Sequence, residues 1–222
     1  MMNTKIDIFL YPFQNEYGME AYGVDVYVAD QSATVEDLMC ALDAFAAENI
    51  ADCKGCDGCC HERAPLIAAD IPALATLLPE TATPAHAVCS AFADLTVFKN
   101  GATDITLRRH ENSACRFLDQ TQRICTQWPK RPFVCRSHFC MPRSPRLEQL
   151  RQDIVNMGEN EFTRLLLAEN SIVKEPFSSL SRVDAADYPE NGQSGKQTYA
   201  EILLKDCVDE VFWQMLCTDP RP

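Results

Sequence analysis

Four cysteines within eight residues, Cys53-Lys54-Gly55-Cys56-Asp57-Gly58-Cys59-Cys60, constrain the fold of this chain more than any other feature. The thiols follow neither helical nor strand periodicity, and the glycines between them permit a tightly wrapped loop. Thiols gathered in this way are typical of metal ligands rather than of core packing. The sequence therefore predicts that this loop holds a metal.

A second set of four cysteines follows with longer spacing: Cys115, Cys125, Cys135 and Cys140. Eight thiols suffice for two four-ligand sites. The side chains of consecutive residues generally diverge, which makes it difficult for Cys59 and Cys60 to bind the same metal. The sequence therefore leaves open whether there is one metal centre or two. His61 and His138 lie beside thiols, although a lone histidine is more often an ordinary polar residue than a ligand.

The spacing of Cys53, Cys56 and Cys59 matches the first three positions of the bacterial ferredoxin run, where a remote fourth cysteine completes the cluster. We therefore expect an iron–sulfur cluster, with the 4Fe–4S type favoured. Zinc is the second choice, because four thiolates also satisfy its tetrahedral preference. A zinc ribbon is disfavoured, since the second set contains no Cys-x2-Cys knuckle.

Composition narrows the class of protein. The 222 residues can bury a conventional core, and we expect a cytoplasmic protein because the sequence has no secretory leader pattern. In that compartment 12 cysteines indicate ligands or redox chemistry rather than disulfides. No apolar segment approaches the roughly 18 residues that cross a bilayer, so we expect no membrane span.

The net charge of −12 argues against nucleic-acid binding. Between Arg108 and Arg151, however, ten basic residues stand against three acidic ones. Such a stretch can offset the charge of bound thiolates, receive an anionic substrate, or face an acidic partner. Arg131 and Arg136 are the candidates for binding a small donor.

Hydrophobic periodicity predicts an α+β fold. We expect an N-terminal strand pair with a helix, a central hairpin around Asn100-Gly101, and C-terminal helices, all surrounding a cysteine-rich, loop-dominated centre. Thr34 and Asp37 form a capping signal for the first helix. The expected strands are 5–11, 21–29, 95–99 and 103–109, and the expected helices are 35–48, 70–77, 147–157, 161–168 and 199–216.

The same pattern suggests three regions. Residues 1–50 form the strand–strand–helix element, residues 51–145 the metal-binding domain, and residues 146–222 a helical region packed on it. Cys40, Cys207 and Cys217 lie outside both thiol sets and are expected to be packing residues.

The order of these motifs resembles a known family. The chain presents Cys-x2-Cys-x2-Cys-Cys, then Asp70, Cys115-Arg116-Phe117-Leu118, Cys125, Arg131-Pro132, Cys135-Arg136 and Cys140. This is similar to the cysteine-cluster proteins known as zinc- or iron-chelating domains. The resemblance implies metal chelation by Cys53, Cys56, Cys59, Cys60, Cys115, Cys125, Cys135 and Cys140. The family also contains flagellin lysine N-methylases, which implies S-adenosylmethionine and a protein or peptide substrate.

Three functions follow from these patterns. The first is a metal-binding module with a redox, sensing or metal-handling role, and it is the one we favour. The second is a metal-dependent enzyme that modifies a protein, such as a lysine N-methyltransferase using S-adenosylmethionine. The third is a zinc-stabilised adaptor that presents its basic stretch to an acidic partner.

Overall fold

The computed structural model describes residues 5–50, 55–79, 84–138, 140–169 and 183–221. The chain divides into two compact units. The first unit contains Met1–Asp52, Arg136–Ile154 and Tyr199–Pro222, and the second contains Cys53–Cys135 and Val155–Thr198. Helices are combined with small antiparallel strand pairs, so the α+β prediction is confirmed.

The first unit opens with an antiparallel hairpin of β1 (Ile6–Gln14) and β2 (Glu20–Val28). Both strands extend further towards the turn than the sequence pattern predicts. Tyr11 lies opposite Gly23, and a side chain at that glycine would come within 2.6 Å of the Tyr11 ring. The tyrosine ring thus covers the backbone where the partner strand lacks a side chain.

Helix α1 (Val35–Asn49) follows the hairpin, as predicted. Thr34 and Asp37 form a capping box, in which each side chain accepts a hydrogen bond from the other residue's backbone N–H. The apolar residues at helical spacing are buried: Val35, Leu38, Leu42 and Phe45. Cys40 lies on the opposite face and is exposed, so its prediction as a packing residue is wrong.

The C-terminal helix is shorter than predicted. Residues Tyr199–Glu201 and Leu204–Cys207 form 3-10 turns, and α6 covers only Glu210–Leu216. The backbone around Ile202 pairs instead with the residues that precede α1, because Val35 N donates to Ile202 O and Leu204 N donates to Ala33 O, both at 2.9 Å. These bonds replace the helical ones. Cys207 is buried, as predicted.

The second unit contains α2 (Ile71–Ala75), α3 (Pro84–Phe92) and the hairpin of β3 (Ala93–Val97) and β4 (Thr103–Leu107). Gly101 adopts a φ of +84° in its turn, which agrees with the Asn-Gly signal. Sequence reasoning missed α3. The core of this unit is apolar and includes Leu66, Val88, Phe92, Ile105, Phe117 and Phe162.

One long helix, α5 (Pro145–Ala168), replaces the two that the sequence pattern predicts. The predicted break fell around Gly158, but this glycine lies inside the helix. A Cβ there would stand 2.6 Å from the side chain of Ile67. Glycine is needed for close packing and does not end the helix.

No described helix is both long enough and apolar enough to span a bilayer.

A buried ion pair joins the hairpin of the first unit to the start of α5. Arg146 donates to both carboxylate oxygens of Asp25, at 3.2 and 2.9 Å, and the Ser144 hydroxyl donates to the same carboxylate. The side chains of Asp25 and Arg146 are only 11% and 12% exposed. Removing one partner would leave the other charge buried without its counterion.

We therefore expect Asp25→Ala to lower the free energy of unfolding by about 3 kcal/mol, as for a broken buried pair. Urea denaturation followed by circular dichroism measures this. The matched control is Asp7→Ala, which removes an exposed pair with Arg221 and should cost about 0.5 kcal/mol. Equal unfolding midpoints for the two variants would contradict the assignment.

Candidate metal centre

The first thiol run is described from Gly55 onwards, and Cys53 lies outside the described residues. Gly55 has a φ of +78°, which a residue with a side chain rarely adopts. A 3-10 turn over Gly58–His61 then carries Cys59 and Cys60. Its backbone is held by Cys60 N donating to Asp57 O at 2.9 Å and Glu62 N donating to Cys59 O at 3.1 Å. The described part of the run is a tight loop, as predicted.

Three further segments bring thiols from the second set. Cys115 is tied directly to the first run, because its N–H donates to Cys60 O at 2.7 Å. Cys125 lies on β6 (Ile124–Cys125), which pairs with β5 (Leu118–Asp119). Cys135 lies on the short helix α4 (Phe133–Arg136).

Cys115 and Cys125 share one local arrangement. Each sulfur accepts a hydrogen bond from the backbone N–H two residues ahead, from Phe117 at 3.4 Å and from Gln127. An N–H that points at sulfur stabilises the thiolate form and tunes a bound cluster. The backbone around both thiols therefore suits metal ligands.

Five thiols of the second unit are close enough for their charges to act on one another: Cys59, Cys60, Cys115, Cys125 and Cys135. Burial is the main cause of the raised pKa values of Cys115, Cys125 and Cys135, and thiolate neighbours raise them further. Such a group of thiols is costly to ionise without a cation. A bound metal would supply that cation.

Cys59 and Cys60 act as a pair within this group. The pKa of Cys59 is lowered to about 6, chiefly because the Cys60 thiol donates a hydrogen bond to its sulfur. The pKa of Cys60 is raised, first by that same bond and then by burial. Although consecutive side chains usually diverge, this hydrogen bond holds the two sulfurs next to each other.

Within the part of the chain that the structure describes, no three Cys, His, Asp or Glu side chains stand in ligating geometry. The thiols are neighbours, but their sulfurs are not arranged around one point. Metal binding commonly couples to folding of the site and to proton release, because thiols must lose their protons before they bind a metal. The donor set fits zinc or an iron–sulfur cluster in its chemistry.

The remaining candidate ligands have different surroundings. Cys56 belongs to the first run and is exposed. Cys140 is exposed and belongs to the first unit. His61 lies 3.8 Å from the carboxylate of Asp57. His138 is half-buried in the first unit.

The two arginines predicted to bind a small donor have different surroundings. Arg131 lies over the indole ring of Trp128, with its guanidinium carbon 3.7 Å from the ring centre. Arg136 belongs to the first unit and forms an ion pair with Asp43 at 2.5 Å. Trp128 received no role from the sequence, where an isolated tryptophan gives no signal.

Much of the basic stretch is engaged within the chain. Ion pairs with carboxylates of described residues engage six of its cations: Arg108, Arg123, Arg136, Arg143, Arg146 and Arg151. Arg116 lies over the rings of Phe92 and Phe117, next to Cys115. Much of the local excess of positive charge is therefore compensated by carboxylates of the same chain.

Asp70 connects this site to the scaffold of the second unit. Its carboxylate is 1% exposed, and its two oxygens accept backbone hydrogen bonds from Ile67 and Phe133, both at 2.8 Å. Phe133 is the first residue of α4, so Asp70 fixes the helix that carries Cys135. Although Asp70 directly precedes α2, its side chain forms no capping bond to that helix.

We expect Asp70→Asn to destabilise the second unit by about 1–3 kcal/mol, because an amide has one acceptor oxygen and leaves one buried N–H without a partner. The Cys135 thiol should then react faster with iodoacetamide, as quantified by mass spectrometry. Asp119→Asn is the matched control. One oxygen of Asp119 accepts both of its backbone bonds, so an amide can retain them. Unchanged stability and Cys135 reactivity in Asp70→Asn would contradict this role.

Comparison with known proteins gives one family. A model named CxxCxxCC, described as "Putative zinc- or iron-chelating domain", matches residues 52–161. The chain matches none of the curated proteins or solved structures with which it was compared. The matched region contains all eight predicted thiol ligands, together with Asp70 and Arg131. Through this region the chain belongs to the CxxCxxCC family of zinc- or iron-chelating domains.

Proposed function

We propose that this protein binds an iron–sulfur cluster through the thiols of its cysteine-rich region and uses it in a redox, sensing or metal-handling role. Zinc bound by the same thiols is the second candidate. Membership of the chelating family supports metal binding in general. The choice of metal and the biological role are our inference.

The observation that carries the proposal is that four separate segments of one unit carry five thiols near one another: Cys115 N donates to Cys60 O at 2.7 Å, and neighbouring thiolates raise the pKa values of Cys115, Cys125 and Cys135. A core built only for packing has no need to gather thiols whose ionisation is mutually unfavourable. Backbone N–H groups directed at two of the sulfurs also support thiolate ligation.

Two features favour iron–sulfur over zinc. The spacing of Cys53, Cys56 and Cys59 is that of a ferredoxin run. In addition, thiols of the second set arrive singly, Cys125 on a strand and Cys135 on a short helix, whereas zinc ribbons use paired knuckles. A 4Fe–4S cluster accommodates such dispersed ligands, because each of its four cysteines binds a different iron atom.

The exposure of the first run supports a role in exchange with other molecules. Cys56 and Cys59 are exposed, whereas Cys60, Cys115 and Cys125 are half-buried. A centre that these thiols share would lie close to the surface. That position suits electron transfer, sensing or metal delivery better than a purely structural role.

Elemental and sulfide analysis of protein purified without oxygen tests the choice of metal. Iron with matching acid-labile sulfide and visible absorption is expected. Stoichiometric zinc without colour would replace the iron–sulfur proposal by its alternative. Protein free of both metals would overturn the function.

Replacing Cys59 or Cys125 with serine should abolish stoichiometric metal binding, since each change removes one of the converging thiols. It should also lower the melting temperature of the loaded protein, because the free energy of metal binding contributes to folding. Metal content by mass spectrometry and melting by circular dichroism measure these effects. Cys40→Ser is the control, because Cys40 is an exposed thiol of the first unit. Full metal content in Cys59→Ser and Cys125→Ser would exclude these residues as ligands.

A further inference from the structure

We propose that the ion pair between Asp57 and Arg123 holds the first thiol run against the turn that leads to Cys125, and so keeps thiols of both sets together before a metal binds. We call this ion pair the latch. The inference rests on the proposed function. It assigns Asp57 and Arg123 as positioning residues, which act on the thiols through the segments that carry them.

Asp57 lies inside the first thiol run, directly before the 3-10 turn Gly58–His61 that carries Cys59 and Cys60. One of its carboxylate oxygens accepts a hydrogen bond from Arg123 Nη2 at 2.5 Å. The side chains of Asp57 and Arg123 are 24% and 54% exposed. The latch is thus a charged contact near the surface that joins segments 66 residues apart in the sequence.

Arg123 reaches Asp57 from the short hairpin of β5 and β6. It lies two residues before Cys125, and its φ is +53°. Glycine adopts such a conformation readily, whereas residues with a side chain adopt it rarely. An arginine at this strained position indicates that its side chain has a use, and the contact with Asp57 supplies one.

The other end of the first run is joined to the segment that carries Cys115. Cys115 N donates to Cys60 O at 2.7 Å, and Arg109 Nη1 donates to His61 O at 2.9 Å. Arg109 and Cys115 are themselves paired by an antiparallel bridge. These bonds hold the run to Cys115, and the latch holds it to the turn before Cys125. The run is therefore attached to the second set at both of its ends.

A partly exposed ion pair adds little to the stability of a fold, because water screens its charges. Its effect on metal binding has a different origin. A metal binds most tightly to molecules in which the segments that carry its ligands are already together, so the apparent affinity falls with the fraction of such molecules. A contact between the two segments raises that fraction. The latch should therefore affect metal affinity more than the melting temperature of the metal-free chain.

The test measures Zn²⁺ affinity by chelator competition at constant pH, on full-length chains purified without oxygen and then stripped of metal. The variants are Arg123→Gln, Asp57→Asn, the two combined, and the charge swap Asp57→Arg with Arg123→Asp. Aspartate tolerates a positive φ better than most residues, so the swap suits the hairpin turn. The control is Asp94→Asn, which removes the carboxylate of another exposed ion pair of the same unit, with Arg108.

Each single variant should weaken Zn²⁺ binding about 3- to 5-fold, the most that an exposed ion pair contributes. The combined variant should bind like either single one, because the second change removes a contact that is already lost. The charge swap should recover most of the affinity, and the control should match the wild type. In the metal-free chain, hydrogen exchange at Cys115 N–H should be faster in both single variants, since this N–H is protected only while the run is held in place.

The sign of the effect at Asp57 separates the latch from a general effect of charge. If Arg123 acted only by offsetting the charge of thiolates, Asp57→Asn would strengthen Zn²⁺ binding while Arg123→Gln weakened it. That result would overturn the latch, and so would unchanged affinity in both single variants. Either result would leave the metal-binding function intact.

A wild-type chain that binds neither Zn²⁺ nor iron would instead overturn the proposed function, and the role of the latch with it. Circular dichroism of the metal-free variants separates these outcomes from misfolding. Recovery in the charge swap supports the latch even if one single variant folds poorly, because the swap restores the same pair of charges with the residues exchanged.

Discussion

The second unit depends on one buried carboxylate. Asp70 has almost no contact with solvent, and its two oxygens hold the backbone at Ile67 and at Phe133, residues far apart in the sequence. A polar group in such a place is stable only when its hydrogen-bonding capacity is used. The chain between Phe133 and Cys135 is therefore fixed to the apolar core. The position of Cys135 is fixed in consequence, including its backbone carbonyl, which accepts a hydrogen bond from Arg131.

The sequence was a good guide wherever a local rule decides the structure. The Thr34 and Asp37 capping pair, the spacing of Leu38 and Leu42, and the Asn-Gly turn are signals that neighbouring residues create by themselves. The cysteine loop belongs with them, because four thiols separated by glycines leave few alternatives. The family of the chain could be predicted for the same reason.

The features that escaped prediction depend on contacts between distant segments. The sequence pattern predicts a helix break at Gly158. In the structure the glycine lies within α5, where the close approach of Ile67 leaves no room for a side chain. The residues around Ile202 have helical periodicity, but their backbone bonds go to Ala33 and Val35. Likewise, no spacing rule places the indole of Trp128 beneath Arg131. Tertiary structure overrides local preference at each of these points.

Strand β1 of the first unit contains a proline, Pro12, whose position affects the edge of the hairpin. Ala29 N donates to Lys5 O, so the backbone groups of the odd-numbered residues of β1 form hydrogen bonds with β2. The backbone N–H and C=O groups of the even-numbered residues point away from β2. Pro12 is one of these even-numbered residues, and it has no N–H group. A strand from another molecule that paired with this edge would therefore lack one hydrogen bond. The proline thus disfavours edge-to-edge pairing between molecules and the aggregation that such pairing causes.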